Sequence, residues 1–323
     1  MEKYISAMAE DIENMIAMKV ATNHAEITYS EKAKAFDRFC AEHFPTDDVV
    51  TQAITMAWVN DAIENSSRAV AHSRVAFIRL VAEYQKAIGK KAFIPPEAML
   101  SGQVLFLPYI FSDEELTSLF NTIDNYEKGN SFARLVYSTY FRLTYTCGLR
   151  PKEGRELMRS DVSMSSGEIR IINTKWHKSR TVVMSDDMKK LMSKYIIIRD
   201  SAFPESEYLF PARSGGPYTA KSMQSSFTKF YALSCPDIPK ELLPAVRVYD
   251  LRHRFATAVL NNWLDNGVDI KSKIPYLQIY MGHKKMESTA YYIHLLPENL
   301  TKSAGIDWKS LNAIIPEVEP WEE

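Results

Sequence analysis

From Ile5 onward, apolar residues return at Met8, Ile12, Met15 and Ile16, the spacing that lines up side chains along one face of an α-helix. The same periodicity predicts helices over 30–44, over 49–65 with Trp58 inside it, and over 68–88. Gly89 then supplies a residue free to take the left-handed conformation that closes a helix. A helical bundle is therefore expected over 1–94. Pro95, Pro96 and Pro108 fall in a stretch without periodic apolar positions, so a linker is expected over 95–110.

The pattern resumes at Ser112-Asp113-Glu114-Glu115, whose Ser and Glu are placed to form a capping box at a helix start. Helices are predicted over 132–147 and 151–158. After them, Glu168-Ile169-Arg170-Ile171-Ile172 and Thr181-Val182-Val183-Met184 are β-branched and alternate in part, which predicts two strands joined by a turn rich in Lys and His. Helices follow over 186–199, 220–231 and 250–263, with shorter ones to 295. In the helix beginning near 250, Leu251, Phe255, Val259 and Trp263 are expected on the buried face. The expected fold is mainly α with a small β-sheet: a helical first domain and a mixed α+β second domain over 111–305.

Composition adjusts this picture in three places. The chain of 323 residues, 46% hydrophobic, can bury a substantial core and favours two domains. Cys40, Cys147 and Cys235 are odd in number and far apart, which argues against a disulfide framework or a zinc site. With no basic segment leading into an apolar run at the N-terminus, and no apolar run of membrane-spanning length, the expected compartment is the cytoplasm, without membrane attachment. The net charge of −1 opposes nucleic-acid binding if spread evenly. It is not spread evenly: 316–323 holds only acidic charges, while 175–180 and Lys284-Lys285 are basic islands, and local patches decide what a surface attracts.

Four segments carry chemistry. Cys147-Gly148-Leu149-Arg150-Pro151-Lys152-Glu153 places Arg150 before a proline suited to the first turn of a helix, so its guanidinium can meet a phosphate at the positive helix end. Taken alone, Arg150 reads more readily as a surface arginine paired with Glu153. Thr174-Lys175-Trp176-His177-Lys178-Ser179-Arg180 occupies the hairpin, and there Lys175 and Lys178 compete for any catalytic role. Tyr249-Asp250-Leu251-Arg252-His253 starts a helix that projects Tyr249 and Arg252 together. Met281-Gly282-His283 runs into Ser288-Thr289-Ala290-Tyr291-Tyr292-Ile293-His294.

In this order the four segments resemble the catalytic domain of the tyrosine recombinases, the phage-integrase and Xer-like family. The first ninety-odd residues resemble that family's helical core-DNA-binding domain. The resemblance implies that Arg150 and Arg252 clamp a scissile phosphate, that Glu153 helps hold the site together, and that Lys175 is the general acid. It also implies that His283 stabilises the phosphate and that Tyr292 is the nucleophile, with Lys178, Arg180, Lys284 and Lys285 as DNA contacts. Tyr249 departs from the pattern, which has histidine there. A phenol of ordinary pKa near ~10 is no base at neutral pH, although it can donate a hydrogen bond to a phosphate oxygen. His253 is read as a packed structural histidine on another helix face, and Tyr291 as a core residue.

By the same resemblance, the partner is double-stranded DNA. Its strands are cut through a 3′-phosphotyrosyl link and resealed without metal, cofactor or ATP, by a tetramer assembled on two DNA sites from chains that are monomers when free. The expected function is site-specific recombination that integrates or excises a mobile element, with a directionality factor as a further partner. Alternatives are a DNA-binding accessory protein with impaired catalysis, which Tyr249 motivates, and a chromosome-dimer-type resolvase; the small helical first domain disfavours a topoisomerase. In the tail, 306–323, the stripe Ile306, Trp308, Leu311, Ile314 and Ile315 suits exchange between protomers or packing on its own domain.

Overall fold

The computed structural model describes residues 4–22, 24–96, 99, 108–172 and 179–295. It separates into two compact units, Met1–Phe106 and Leu107–Glu323. The linker expected over 95–110 falls largely outside the described residues, and the tail wholly so. No helix among the described residues is long and apolar enough to cross a membrane.

The first unit packs α1 (Ala9–Ala21), α2 (Ile27–His43), α3 (Gln52–Asn65) and α4 (Arg68–Ala87). Met8, Ile12, Met15 and Ile16 meet Phe36, Cys40, Ile54, Trp58, Ile78 and Val81 in one core. Thr51 and Ser67 start α3 and α4 by accepting from the amides of Ile54 and Val70, which satisfies donors that a helix start leaves orphaned. Gln85 is fully buried, and each end of its amide is used. Its Oε1 accepts from the Val50 amide at 2.8 Å, and its Nε2 donates to Asp11 at 2.7 Å. A buried amide pays no desolvation penalty when paired in this way, so Gln85 ties α4 to α1 and to the chain entering α3. Arg74 stacks on Trp58 at 3.7 Å while its Nη1 reaches Asp61.

The second unit opens with α5 (Asp113–Asp124), whose capping box joins Ser112 and Glu115 in both directions. Then come α6 (Ser131–Thr146), α7 (Pro151–Arg155), β1 (Glu168–Ile171), β2 (Arg180–Val183), α8 (Asp186–Ala202), α9 (Ala220–Ser234), α10 (Val248–Asp265), α11 (Ile270–Met281) and α12 (Glu287–Ala290). The strands pair antiparallel, Glu168 with Val183 and Ile171 with Arg180, and turn Ile169, Ile171 and Val182 into the main core.

Two local readings change. Helix α7 stops at Arg155 instead of continuing to 158, because the chain there straightens and pairs with a distant segment: the Arg159 and Leu209 amides donate to the Glu207 and Leu157 carbonyls at 2.8 Å. Helix α10 is buried on two sides. Val248 and Leu251 enter the main core, whereas Ala256 and Leu260 join a smaller cluster with Ile274, Met281 and Tyr292, against which Phe255, Val259 and Trp263 pack only partly buried.

Candidate active site

Helix α7 begins at Arg150, held in extended backbone at the cap position with Pro151 at the first turn. Glu153, one turn on, folds back so that its carboxylate accepts from the Arg150 amide at 2.9 Å and from the Arg150 guanidinium at 2.7 Å. Arg150 also donates to the Gly282 carbonyl at 2.6 Å. Gly282 ends α11 in the left-handed conformation, φ 65°. A Cβ there would lie 3.1 Å from Arg180 and 3.3 Å from Arg150, so glycine serves both the turn and the close approach of two guanidiniums.

Arg180 departs from expectation. Placed on the DNA backbone from sequence, it instead turns inward, with its side chain 8% exposed. Its Nη1 and Nη2 form a fork on the two Glu153 oxygens at 2.8 and 2.7 Å, and its Nε donates to the Tyr280 carbonyl at 2.8 Å. Its place at the start of β2, opposite Ile171, aims the guanidinium under α7. Burial raises the Glu153 pKa, but hydrogen bonds and charge from Arg180, with Arg150 behind them, outweigh burial and hold it at about 2.

Arg252 is completely buried. It donates to the Gly148 carbonyl at 2.6 Å and the Met281 carbonyl at 2.5 Å, and lies 3.0 Å from His283 Nε2. Gly148 has φ 59°, and a Cβ would run into the Phe255 ring at 2.4 Å, so the 147–150 turn presses directly on α10. His283 is fixed from its other side by Thr289, Nδ1 to Oγ1 at 2.8 Å. Burial and the charges of Arg252, Arg150 and Arg180 lower its pKa to about 3. The ring is therefore neutral at pH 7, with Nε2 accepting from Arg252 and Nδ1–H donating to Thr289.

Tyr292 sits on the 3-10 turn after α12 and is 2% exposed. Its ring stacks on His283 at 6.0 Å and meets His253 at 5.5 Å. Burial raises its phenol to about 12, with Arg252 pulling the other way. Tyr291, expected in the core, is instead partly exposed. The face of His253, though not its packing, also differs from its reading. It lies one residue from Arg252 but four from Tyr249, and residues four apart share a helix face. Its ring lies 5.0 Å from that of Tyr249.

These groups surround an open cleft of about 650 Å³, lined by Arg150, Tyr249, His253, His283, Tyr291 and Tyr292, with Lys284 and Lys285 exposed at its edge. Lys175 and Lys178 lie outside the described residues. No group of three or more His, Cys, Asp or Glu is placed to hold a metal ion among the described residues. Sequence reasoning missed the inward Arg180 and the cleft-facing His253. The i, i+4 relation to Tyr249 was available for His253, while Arg180 had no local signal.

A cleft with the Arg150 guanidinium on one side, Arg252 buried behind it, a neutral histidine fixed in its tautomer, and a tyrosine beside them can bind a phosphate and present it with a nucleophile. Residues 110–299 match the phage integrase family. A Sinorhizobium fredii protein, y4rE, whose name assigns it as an integrase or recombinase, is 27% identical over 305 residues, 91% of this chain and 93% of its own. In fold, the chain resembles the XerH site-specific recombinase in a post-cleavage complex with palindromic difH, with a TM-score of 0.66, 18% identity and coverage of 88% of this chain and 80% of that one. It also resembles the Tn1549 transposon integrase in complex with transposon right-end DNA, with a TM-score of 0.66, 16% identity and coverage of 94% and 97%. The chain belongs to the phage integrase family. Its activity is the site-specific cutting and rejoining of DNA characteristic of tyrosine recombinases.

Proposed function

We propose that Tyr292 attacks a scissile DNA phosphate to form a 3′-phosphotyrosyl intermediate and release a 5′-hydroxyl. Arg150 and Arg252 neutralise the nonbridging oxygens together with His283, an electrostatic contribution that commonly dominates such catalysis. Glu153 positions Arg150, and Lys175 protonates the leaving oxygen. The bond energy stays in the phosphotyrosine, so an incoming 5′-hydroxyl reseals the strand without ATP. The observation that carries this reading is the meeting of Arg150, His283 and Tyr292 around one cleft, with buried Arg252 directly behind His283, from three distant stretches of sequence.

In this reading the helical first unit and the catalytic unit clasp duplex DNA in the cytoplasm, and Lys178, Lys284 and Lys285 contact phosphates. Two DNA sites carry four protomers, monomeric when free, and the tail 306–323 passes between neighbours. The reaction moves a mobile element in or out of its host DNA, and a directionality factor sets which way. The likeness of fold to a transposon integrase supports the mobile-element role.

The test begins with a duplex selected from a random-sequence pool by binding, then nicked near its centre so that cleavage traps the adduct. A covalent protein–DNA product that disappears in Tyr292→Phe is the expected result. Tight binding with no adduct overturns it in favour of an accessory DNA-binding role. Light scattering on DNA, with and without residues 306–323, tests the tetramer and the exchange: an undiminished tetramer in the truncated chain excludes exchange.

A further inference from the structure

Among the described residues, the cleft holds one base that the proposed roles leave unused. His253 lies between Tyr249 and Tyr292, its ring 5.0 Å from the first and 5.5 Å from the second. Its Nδ1 is buried without a hydrogen-bond partner. Among the described residues, the other groups around Tyr292 offer no comparable base. His283 is committed at both nitrogens, to Arg252 and Thr289. The carboxylate of Glu153 is taken up by Arg150 and Arg180. Guanidinium and ammonium groups accept nothing, and Tyr249 is itself a phenol.

We propose that His253 accepts the phenolic proton of Tyr292 during cleavage, performing from one turn further along α10 the task that histidine at position 249 would otherwise perform. This rests on Tyr292 being the nucleophile. As a lone pair of the Tyr292 oxygen forms the bond to phosphorus, the Tyr292 O–H bond breaks and its proton passes to an imidazole nitrogen. The bond from phosphorus to the 5′ oxygen breaks with its electron pair, and that oxygen is protonated by Lys175. Resealing reverses each transfer, returning the proton from the imidazolium to Tyr292.

Transfer must accompany attack and not precede it, because burial sets the phenol at about 12, whereas burial with Arg247 and Arg252 sets the imidazole at about 4. Once the oxygen is bonding to phosphorus its proton becomes acidic, and a weak base suffices. An incoming phosphate also brings negative charge that favours the imidazolium.

The experiment is single-turnover cleavage of the nicked duplex by His253→Ala and His253→Asn. Both variants are expected to keep wild-type DNA affinity and melting temperature while adduct formation slows about a hundredfold. Imidazole added to the buffer restores the rate of His253→Ala. A duplex whose leaving 5′ oxygen is replaced by sulfur needs no acid, so it rescues Lys175→Ala but leaves His253→Ala slow. Cleavage within about threefold of wild type overturns the proposal, as does a slow rate that imidazole fails to raise or that the sulfur substrate restores. Tyr292→Phe in the same assay keeps the two readings apart: an adduct that survives it overturns the nucleophile assignment, whereas its loss leaves His253 alone under test.

Discussion

The two sides of the cleft are built by different physics. One side, Arg150 with Glu153, Arg180 and Arg252 buried behind it, is wired by charge-assisted hydrogen bonds of 2.5 to 2.9 Å and by backbone carbonyls from the 147–150 turn and the end of α11. The other, Tyr249, His253 and Tyr292, is held by ring contacts of 5.0 to 5.5 Å. Charge-assisted pairs fix direction and are expensive to break. Ring contacts depend weakly on orientation. Under the proposed roles, the difference suits a phosphate clamp that stands ready and a buried tyrosine that moves onto the phosphate.

If this comparison holds, changes on the wired side lose rate and stability together, and those on the ring side lose rate alone. The largest effect is expected from Arg252→Lys. An ammonium cannot span the Gly148 and Met281 carbonyls and His283 in the way the planar fork does. Single-turnover cleavage should fall by about a thousandfold, as when a main electrostatic donor is removed. A loss below tenfold would mean that charge alone, not the fork, serves the site.

Glu153→Gln comes next. The carboxylate has two arginines as partners, and removing its charge leaves buried Arg180 without a counter-ion. The Glu153 pKa falls from 4.5 to about 2 on folding. A depressed carboxylate contributes stability that is present above the unfolded value and disappears as pH falls through the folded one. The contribution, about 3 kcal/mol, is thus fully present above pH 4.5 and lost toward pH 2. Urea denaturation against pH should show that slope in the natural chain and a flatter one in Glu153→Gln, with slower cleavage at neutral pH. Gly282→Ala should have a smaller effect. At φ 65°, with guanidiniums 3.1 and 3.3 Å from the new methyl, it should lose about 1–2 kcal/mol by denaturant titration.

The wired side also shows where reading from sequence stopped. Arg150, Arg252, His283 and Tyr292 were legible as a set because each stands in a short motif and the motifs keep an order. The helices were legible from periodicity, since a buried stripe imposes its spacing on the residues themselves. Arg180 was not, because its direction depends on the pairing of Ile171 with Arg180 and on a carbonyl 100 residues away. The stop of α7 at Arg155 was hidden for the same reason, set by pairing with 207–209. His253 was a different kind of miss. Its facing was local information, obscured by measuring its position from Arg252 when Tyr249, four residues back, sets the shared face.

The smallest effect is expected at Tyr249, and it decides whether the ring side works as a unit. Tyr249→His restores the residue that the family pattern has at this position, but the imidazole would enter a cleft where His253 already faces Tyr292. If His253 takes the proton, a second imidazole changes the cleavage rate by less than about tenfold, and melting is unmoved because no charged partner is broken. If position 249 instead supplies the missing base, the natural chain cleaves poorly and Tyr249→His raises the rate far beyond that bound. The double change Tyr249→His with His253→Ala separates the cases: recovery of cleavage in it shows that either position can supply the base, while persistent loss shows that only the geometry at 253 can.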